Sequence, residues 1–193
     1  MPRRVCLIYG ITEGPWHGRA MRAAFARRGW ELVANPSEAD IVVAHSGGVF
    51  FIPLPRADQQ LLLIDPTCTA DRAGARHALR FIGWEMRHTL LSREAGNFLR
   101  RMCHNLFYIL VSFRRNREIV RHFYRPNITA VLRHPRLIIT QSDNRAWFDE
   151  QTLQRLADSQ KLHVHYIRSH HDDCWNHPDR YLDLLSLLND SST

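Results

Sequence analysis

Short apolar runs alternate with helical patterns at both ends of this chain, and that alternation restricts the fold more than any other feature of the sequence. Apolar runs of this length are typical of strands buried on both faces of a parallel sheet. Helices predicted between and after the runs would cover both faces of that sheet. The sequence therefore predicts an α/β fold with a mostly parallel sheet of about six strands. The strands are predicted at Val5–Tyr9, Trp30–Val33, Ile41–Ala44, Leu61–Asp65, Leu137–Thr140 and Leu162–Ile167, and the helices at Arg19–Arg28, 145–159 and Pro178–Leu188.

One segment, from Ala73 to Val131, interrupts the alternation, because it has helical periodicity and no clear strand. We interpret it as a helical cap inserted into a core formed by residues 1–72 and 132–193, within one compact domain. Positive charge is concentrated in the second half of this segment and just after it: nine arginines and a single acid, Glu118, occur between Ala95 and Arg136, against a formal total of +7. Such a field favours an anionic substrate, an acidic partner, a phospholipid surface or nucleic acid. A solvated helical face is the simpler alternative.

Several classes of protein are disfavoured by the rest of the sequence. No run approaches the roughly 18 to 20 apolar residues of a membrane-spanning helix. The four cysteines are scattered, which argues against a zinc ribbon or a disulfide framework. The apolar stretch after the N-terminal arginines ends at Gly10, too early for a secretory signal, so a cytoplasmic location is expected. No cofactor is predicted.

The third predicted strand ends in a possible nucleophile elbow. Ala44-His45-Ser46-Gly47-Gly48 is close to the pattern G-x-S-x-G, in which a serine occupies a sharp turn between a strand and a helix. Small neighbours allow that turn, which exposes the hydroxyl group. Alanine in place of the first glycine keeps the position small. Ser46 is therefore the candidate nucleophile, with an ordinary glycine-rich turn as the alternative.

Acyl transfer also needs two N–H donors aimed at the developing oxyanion. The residue after the nucleophile supplies one, and a loop after an earlier strand supplies the other. The backbone N–H groups of Gly47 and Ile11 are the candidates, since Ile11 follows the first strand at Tyr9-Gly10.

The last two strands end in candidates for the rest of a triad. Asp143 follows the fifth strand, and His170 and His171 follow the sixth. A serine nucleophile needs a histidine base, and the base needs a carboxylate that fixes its tautomer. Separately, Asp143 could be a helix cap and the histidines a polar loop. All three candidates follow predicted strands, and they occur in the chain order Ser46, Asp143, His171, which is the order of a nucleophile-elbow triad. This combination favours the catalytic interpretation over the alternatives.

These segments together resemble the α/β-hydrolase superfamily, in a reduced form similar to small bacterial serine hydrolases. The matching segments are LIYGI, VVAHSGG, LLLIDP, LIITQSD and SHHDDCWNHPDRYLDLL. The resemblance covers about two thirds of the chain and aligns His171, not His170, with the catalytic histidine. It implies an enzyme without a cofactor that cleaves an ester or thioester, similar to carboxylesterases or thioesterases, through an acyl-enzyme intermediate. From the apolar and arginine-rich cap we expect a small-molecule substrate with an apolar acyl part and a negative charge.

Some features depart from the family pattern. Two N-terminal antiparallel strands are missing, the link between the second and third strands is short, and Pro53 and Pro55 shorten the helix after Ser46. A non-catalytic relative, whose arginine-rich region binds an acidic partner or nucleic acid, is therefore the alternative function.

Two further interpretations compete with serine hydrolysis. A run of possible ligands near the C-terminus could support metal-dependent hydrolysis; it consists of His163, His165, His170, His171, Asp172, Asp173 and His177. Aromatic residues among the arginines could bind single-stranded nucleic acid by charge and stacking. No nucleic-acid-binding motif accompanies them, so nucleic acid is an improbable partner.

Overall fold

A computed structural model gives the structure of the protein and describes residues 1–10, 13–67, 83–84, 87, 103–108, 110–114, 116–118, 129–143 and 163–190. Within these residues all six predicted strands are present. They are β1 (Arg4–Ile8), β2 (Glu31–Leu32), β3 (Ile41–His45), β4 (Gln60–Ile64), β5 (Leu137–Gln141) and β6 (His163–Tyr166).

The six strands form one sheet in the order β2-β1-β3-β4-β5-β6, and every neighbouring pair is parallel. Because β3 pairs with β1, the chain reverses its direction of winding between β2 and β3. In such sheets, ligands bind beyond the carboxyl ends of the strands near this switch point. The fold prediction is confirmed, and the ends of β1, β3 and β4 become the places to look for a site.

The sheet is buried because β3, β4 and β5 are apolar on both faces. Every residue of these three strands is buried. One face packs against a cluster that includes Met21, Phe25 and Tyr181, and the other against a cluster that includes Val131 and Leu132. Burial of each large aliphatic side chain stabilises the fold by roughly 1.5–3 kcal/mol. These two layers make the central strands a rigid base for the residues at their carboxyl ends.

Helices cover the first of these faces. Helix α1 (Arg19–Arg27) buries Met21, Ala24 and Phe25, which recur on one side of the helix, and the chain then turns at Gly29, where φ is +67°. A short α2 (Thr129–Leu132), which precedes β5, packs on the opposite face through Val131 and Leu132. The predicted C-terminal helix is confirmed as α3 (Pro178–Leu182), a 3₁₀ turn and α4 (Leu187–Asp190). The predicted helix 145–159 lies outside the described residues.

Only parts of the predicted cap are described, so its boundaries stay a prediction. Residues 103–108, 110–111, 113–114 and 116–118 are helical. This helical segment contacts the loop after β1: the Trp16 ring stacks on Phe107 with centroids 4.9 Å apart, and His17 Nε2 lies 3.1 Å from Asn105 Oδ1. In the described part of the chain, no helix is both long and apolar enough to cross a membrane.

Candidate active site

Ser46 lies at the carboxyl end of β3 in a turn that strains the backbone. Its φ is +51°, in the left-handed region that side chains other than glycine rarely adopt. A 3₁₀ helix, Ser46–Phe51, begins at this residue and ends before Pro53, as the two prolines lead one to expect. A conformation of this kind costs on the order of 1–3 kcal/mol and is concentrated at functional sites. The strand-to-helix turn predicted from the sequence is present.

Two glycines let the backbone of β1 and its loop approach this turn. A Cβ atom on Gly48 would lie 2.7 Å from the carbonyl oxygen of Ile8, and one on Gly10 would lie 2.8 Å from Ser46 Cβ. Neither position has room for any other side chain. The second glycine of the elbow pattern is therefore required by packing against β1, as the pattern implies.

Asp65, directly after β4, is the second residue with a strained backbone. Its φ is +44°, and its side chain is buried. The carboxylate accepts a hydrogen bond from the backbone N–H of Ser142 at the end of β5, through Oδ1. The other oxygen, Oδ2, lies 3.5 Å from Nδ1 of His171. Asp65 thus pairs with an imidazole in the loop that follows β6.

His171 lies beside the nucleophile turn. Its backbone carbonyl oxygen is 2.9 Å from Nε2 of His45, the residue before Ser46, and the two imidazole rings have centroids 4.5 Å apart. Burial and the neighbouring His45 lower the pKa of His171, while the nearby carboxylate of Asp65 raises it. The net effect is a raised pKa, with Asp65 as the stabilising partner of the imidazolium.

Beneath these groups, His45 forms a buried ion pair with Glu13 from the loop after β1. His45 Nδ1 lies 2.6 Å from Glu13 Oε1, and the two side chains are 0% and 7% exposed. Glu13 also accepts hydrogen bonds from the Gly10 N–H at 2.5 Å and from Trp175 Nε1 at 3.2 Å. Burial lowers the pKa of His45, but Glu13 and Cys174 together raise it by more, so the pKa lies well above the ordinary value.

Among the described side chains, that of Thr67 lies within hydrogen-bond distance of the Ser46 hydroxyl. The two hydroxyl oxygens lie 3.4 Å apart, and the Thr67 N–H donates to the Ser46 carbonyl at 3.3 Å. The segment after β4 therefore supports the nucleophile turn from one side, while Gly10 supports it from the other.

The predicted acid, Asp143, follows Ser142, the residue whose N–H donates to Asp65. Its side chain is exposed, and its backbone N–H donates to the Ser169 carbonyl at 3.1 Å. The carboxylate that the structure gives to His171 is instead that of Asp65. Asp143 lies two residues after the end of β5, whereas Asp65 directly follows β4. The path of the loop after β6, which carries His171, therefore decides which of the two aspartates contacts the imidazole.

The two predicted oxyanion donors and the second histidine are the remaining candidates from the sequence. Gly47 is buried in the first turn of the 3₁₀ helix after β3, where N–H groups have no partner within the helix. Ile11 lies outside the described residues. His170, which the sequence places second to His171, turns toward Asp173: its Nε2 lies 4.0 Å from Asp173 Oδ1, and its Nδ1 accepts from the Asp172 N–H.

Some of these side chains could in principle hold a metal ion. In the described residues, three ligand atoms come within 4.8 Å of one another twice: in His45, Asp65 and His171, and in Glu13, His45 and Asp172. Both groups already pair a carboxylate with an imidazole inside the protein. The histidine-rich run considered for metal hydrolysis contributes only His171 and Asp172 to them.

The buried thiols are poor candidates for nucleophiles. Burial raises the pKa of Cys174 to about 12 and that of Cys6 to about 11, so both stay protonated near neutral pH. Cys68 lies outside the described residues.

The sequence interpretation missed three groups that shape the site: Glu13, His45 and Asp65. For Asp65 a signal existed, because the aspartate ends the buried run LLLID as directly as Ser46 ends β3. For His45 the signal was a titratable residue inside a strand buried on both faces. Glu13 had no signal, since its role depends on how the loop GITEG folds back.

No family model matches the chain, and no curated protein matches its sequence significantly. Solved structures are similar in fold. They include carboxylesterases of Nitrososphaera gargenis (TM-score 0.56, 10% identity, covering 98% of this chain and 92% of that one). A thioesterase domain from the curacin biosynthetic pathway has a TM-score of 0.56 and 14% identity, over 97% and 91% of the two chains. The enol-lactonase of Burkholderia xenovorans has a TM-score of 0.52 and 8% identity, over 98% and 92%.

These similarities extend over nearly the whole chain, so the resemblance predicted from the sequence is confirmed for the fold. The chain has a compact, reduced α/β-hydrolase fold with an all-parallel sheet of six strands. At identities this low the shared property is the fold alone.

Proposed function

We propose that this chain is a serine hydrolase that cleaves an ester or thioester through an acyl-enzyme intermediate. Ser46 is the nucleophile, and His171 is the base. The carboxylate partner is Asp65, in place of the Asp143 expected from the sequence. The observation that carries the proposal is the strained, buried Ser46 at the switch-point strand end, next to the loop of a histidine paired with a carboxylate.

The proposed reaction follows from this arrangement. His171 Nδ1 carries a proton toward Asp65 Oδ2, which leaves Nε2 as the basic nitrogen. That nitrogen takes the Ser46 proton as the hydroxyl oxygen bonds to the substrate carbonyl carbon. It then returns the proton to the leaving alcohol or thiol as the carbon–heteroatom bond breaks. Water repeats the two steps on the acyl-enzyme and frees Ser46.

The negative charge on the carbonyl oxygen needs fixed donors during both steps. We assign the backbone N–H groups of Gly47 and Ile11 to this role. For Gly47, support comes from its position in the first turn of the 3₁₀ helix immediately after Ser46. For Ile11, support comes from its neighbour Gly10, which lies against the nucleophile. A Cβ atom added to Gly10 would be 2.8 Å from Ser46 Cβ.

Asp65 is preferred to Asp143 because burial and pairing distinguish the two. The Asp65 side chain is only 5% exposed and faces His171, whereas Asp143 is exposed. A buried carboxylate stabilises an imidazolium more strongly than an exposed one, because water screens the latter.

The substrate we propose is a small ester with an apolar acyl part. The described helical residues among 103–108, 110–114 and 116–118 pack on the loop after β1 and present exposed apolar side chains, among them Leu106, Leu110 and Phe113. Arg114 and Arg117 are exposed on the same segment. Their charge would attract a substrate that also carries a negative group.

Covalent labelling tests the proposal without knowledge of the substrate. A fluorophosphonate probe should add one adduct to the wild-type protein, measured by intact mass, and peptide mapping should locate it at Ser46. Ser46→Ala should abolish the adduct. The matched control is Ser37→Ala, because Ser37 is an exposed serine in the 3₁₀ turn before β3 and should leave labelling unchanged.

Labelling of Ser46→Ala at the wild-type rate would overturn the assignment of the nucleophile. A wild-type protein that stays unlabelled while it is folded by circular dichroism would favour the non-catalytic alternative. Loss of a nucleophile in a protease triad costs on the order of 10⁶ in turnover, so a partial effect would also count against Ser46.

A further inference from the structure

The ion pair of Glu13 and His45 has no role in the chemistry described above, yet it is the most deeply buried charged pair among the described residues near the site. Removing two charged groups from water is costly unless both are well paired. A buried pair of this kind can act through its charge or through its geometry. It lies between the loop after β1, the nucleophile turn and the His171 loop.

The groups around His45 favour a doubly protonated ring. Its Nε2 is 2.9 Å from the carbonyl oxygen of His171, which can only accept a hydrogen bond. Its Nδ1 lies 2.6 Å from a Glu13 carboxylate oxygen, which is the distance of an ion pair, although the contact is not an aligned hydrogen bond. An acceptor at Nε2 and a negative charge beside Nδ1 both favour the imidazolium.

Three groups surround this imidazolium. Glu13 pairs with it from the loop after β1, the His171 carbonyl lies 2.9 Å from its Nε2, and the Trp175 ring packs against it edge-on with centroids 5.1 Å apart. The same Glu13 carboxylate accepts from the Gly10 N–H and from Trp175 Nε1. One carboxylate therefore ties the loop after β1 to the segment that follows His171, with His45 between them.

We propose that Glu13 and His45 are positioning residues whose charged pair locks these three segments together, and whose imidazolium opposes the negative charge of Asp65 at the ring of His171. This inference rests on the proposed function. The His171 ring lies near both charges: its Nδ1 is 3.5 Å from the Asp65 carboxylate, and its centroid is 4.5 Å from that of the His45 ring. The cation disfavours a second proton on His171, which keeps the base available at lower pH.

All the described charged groups around the two rings enter this balance. His171 faces Asp65 after β4, His45 in β3 and Asp172 in its own loop. His45 faces Glu13, Asp65, His171, Asp172 and the Cys174 thiol, which burial keeps protonated. The effect of His45 on the pKa of His171 is to lower it, against the upward effect of Asp65.

The rate of fluorophosphonate labelling against pH measures when His171 can act as a base. The variant is His45→Gln, whose amide can still donate to the His171 carbonyl but has no charge. We expect the midpoint of the acidic limb to rise by about one pH unit or more, since a charge within about 4–6 Å shifts a pKa by about 1–3 units. The matched control is His134→Gln: His134 is also buried and lies 2.8 Å from a carbonyl oxygen, that of Arg56, and its profile should stay that of the wild type.

An unchanged or lowered midpoint in labelled, folded His45→Gln would overturn the inference and leave the proposed function standing. If no wild-type labelling occurs, the proposed function fails, and the charge of His45 is tested directly by ¹⁵N NMR of its ring. We expect both ring nitrogens to stay protonated from about pH 5 to about pH 8, and Glu13→Gln to bring their titration to lower pH. A neutral His45 ring in the wild type near pH 7 would refute the inference even where His45→Gln fails to fold.

Discussion

Replacement of Asp65 by asparagine is the sharpest test of the triad, because the two candidate carboxylates can be changed in the same way. Asparagine tolerates the left-handed backbone almost as well as aspartate, so the φ of +44° should survive in Asp65→Asn. Its amide oxygen can still accept from the Ser142 N–H. The change therefore removes the charge facing His171 with little reason for misfolding.

The expected loss can be approximated from the distance between the two groups. A carboxylate 3.5 Å from an imidazolium, at an effective dielectric constant of about 20, contributes about 5 kcal/mol to the charged state. In addition, the asparagine NH₂ group would donate to Nδ1 and leave the proton on Nε2, the wrong tautomer for a base. A loss of about 10⁴ in turnover follows that change in a protease triad, which agrees with the electrostatic figure.

The assay compares Asp65→Asn with Asp143→Asn in both fluorophosphonate labelling and hydrolysis of a short acyl ester. We expect a fall of about 10³ to 10⁴ for the first variant. For the second we expect less than about threefold, because its side chain is exposed and water screens it. A severe loss in Asp143→Asn with a mild one in folded Asp65→Asn would refute the reasoning and return the triad to the order predicted from the sequence.

Two further predictions concern the base and the substrate. His171→Ala should lose labelling, whereas His170→Ala should keep most of it, because the His170 ring turns toward Asp173; equal losses in the two variants would contradict this difference. Turnover of an anionic ester should exceed that of its neutral counterpart at about 0.01 M salt, and the ratio of their specificity constants should fall at about 1 M, where the Debye length drops from about 30 to about 3 Å. A ratio that does not change with salt would mean that the arginines are a solvated face.

The sheet could be predicted from the sequence because its strands are apolar on both faces. Runs such as IVVAH and LLLID leave no face for solvent, which restricts them to the centre of a parallel sheet. The turn at Ser46 could be predicted for a related reason: only small residues fit beside it, and Gly48 is packed against the Ile8 carbonyl as that requires.

The sequence alone cannot decide between the two candidate carboxylates, because an aspartate follows the end of each of two neighbouring strands, β4 and β5. The Asp65 N–H pairs with the Thr140 carbonyl, so Asp65 lies level with the end of β5, where Ser142 meets its carboxylate. Asp143 lies one residue beyond that point. Which aspartate faces His171 depends on the direction of each loop, and the spacing of residues in the sequence holds no information on that direction.

The role of Glu13 was beyond prediction for a different reason. Its partners, Gly10, His45 and Trp175, come from three separate segments, and Trp175 is 162 positions away along the chain. No periodicity connects such residues. They become neighbours only after β1 and β3 pair and the C-terminal helices pack onto the same face of the sheet as α1.

The features that lower the stability of this fold are concentrated at one edge of the sheet. Ser46 and Asp65 are the described residues other than glycine with positive φ, and both follow central strands at their carboxyl ends. The buried ion pair of Glu13 and His45 lies at the same edge. Strain and buried charge each oppose folding, so the apolar layers on the two faces must offset them. A fold without a task at this edge would gain stability by losing these features, and their coincidence at the switch point is the physical reason to expect chemistry there.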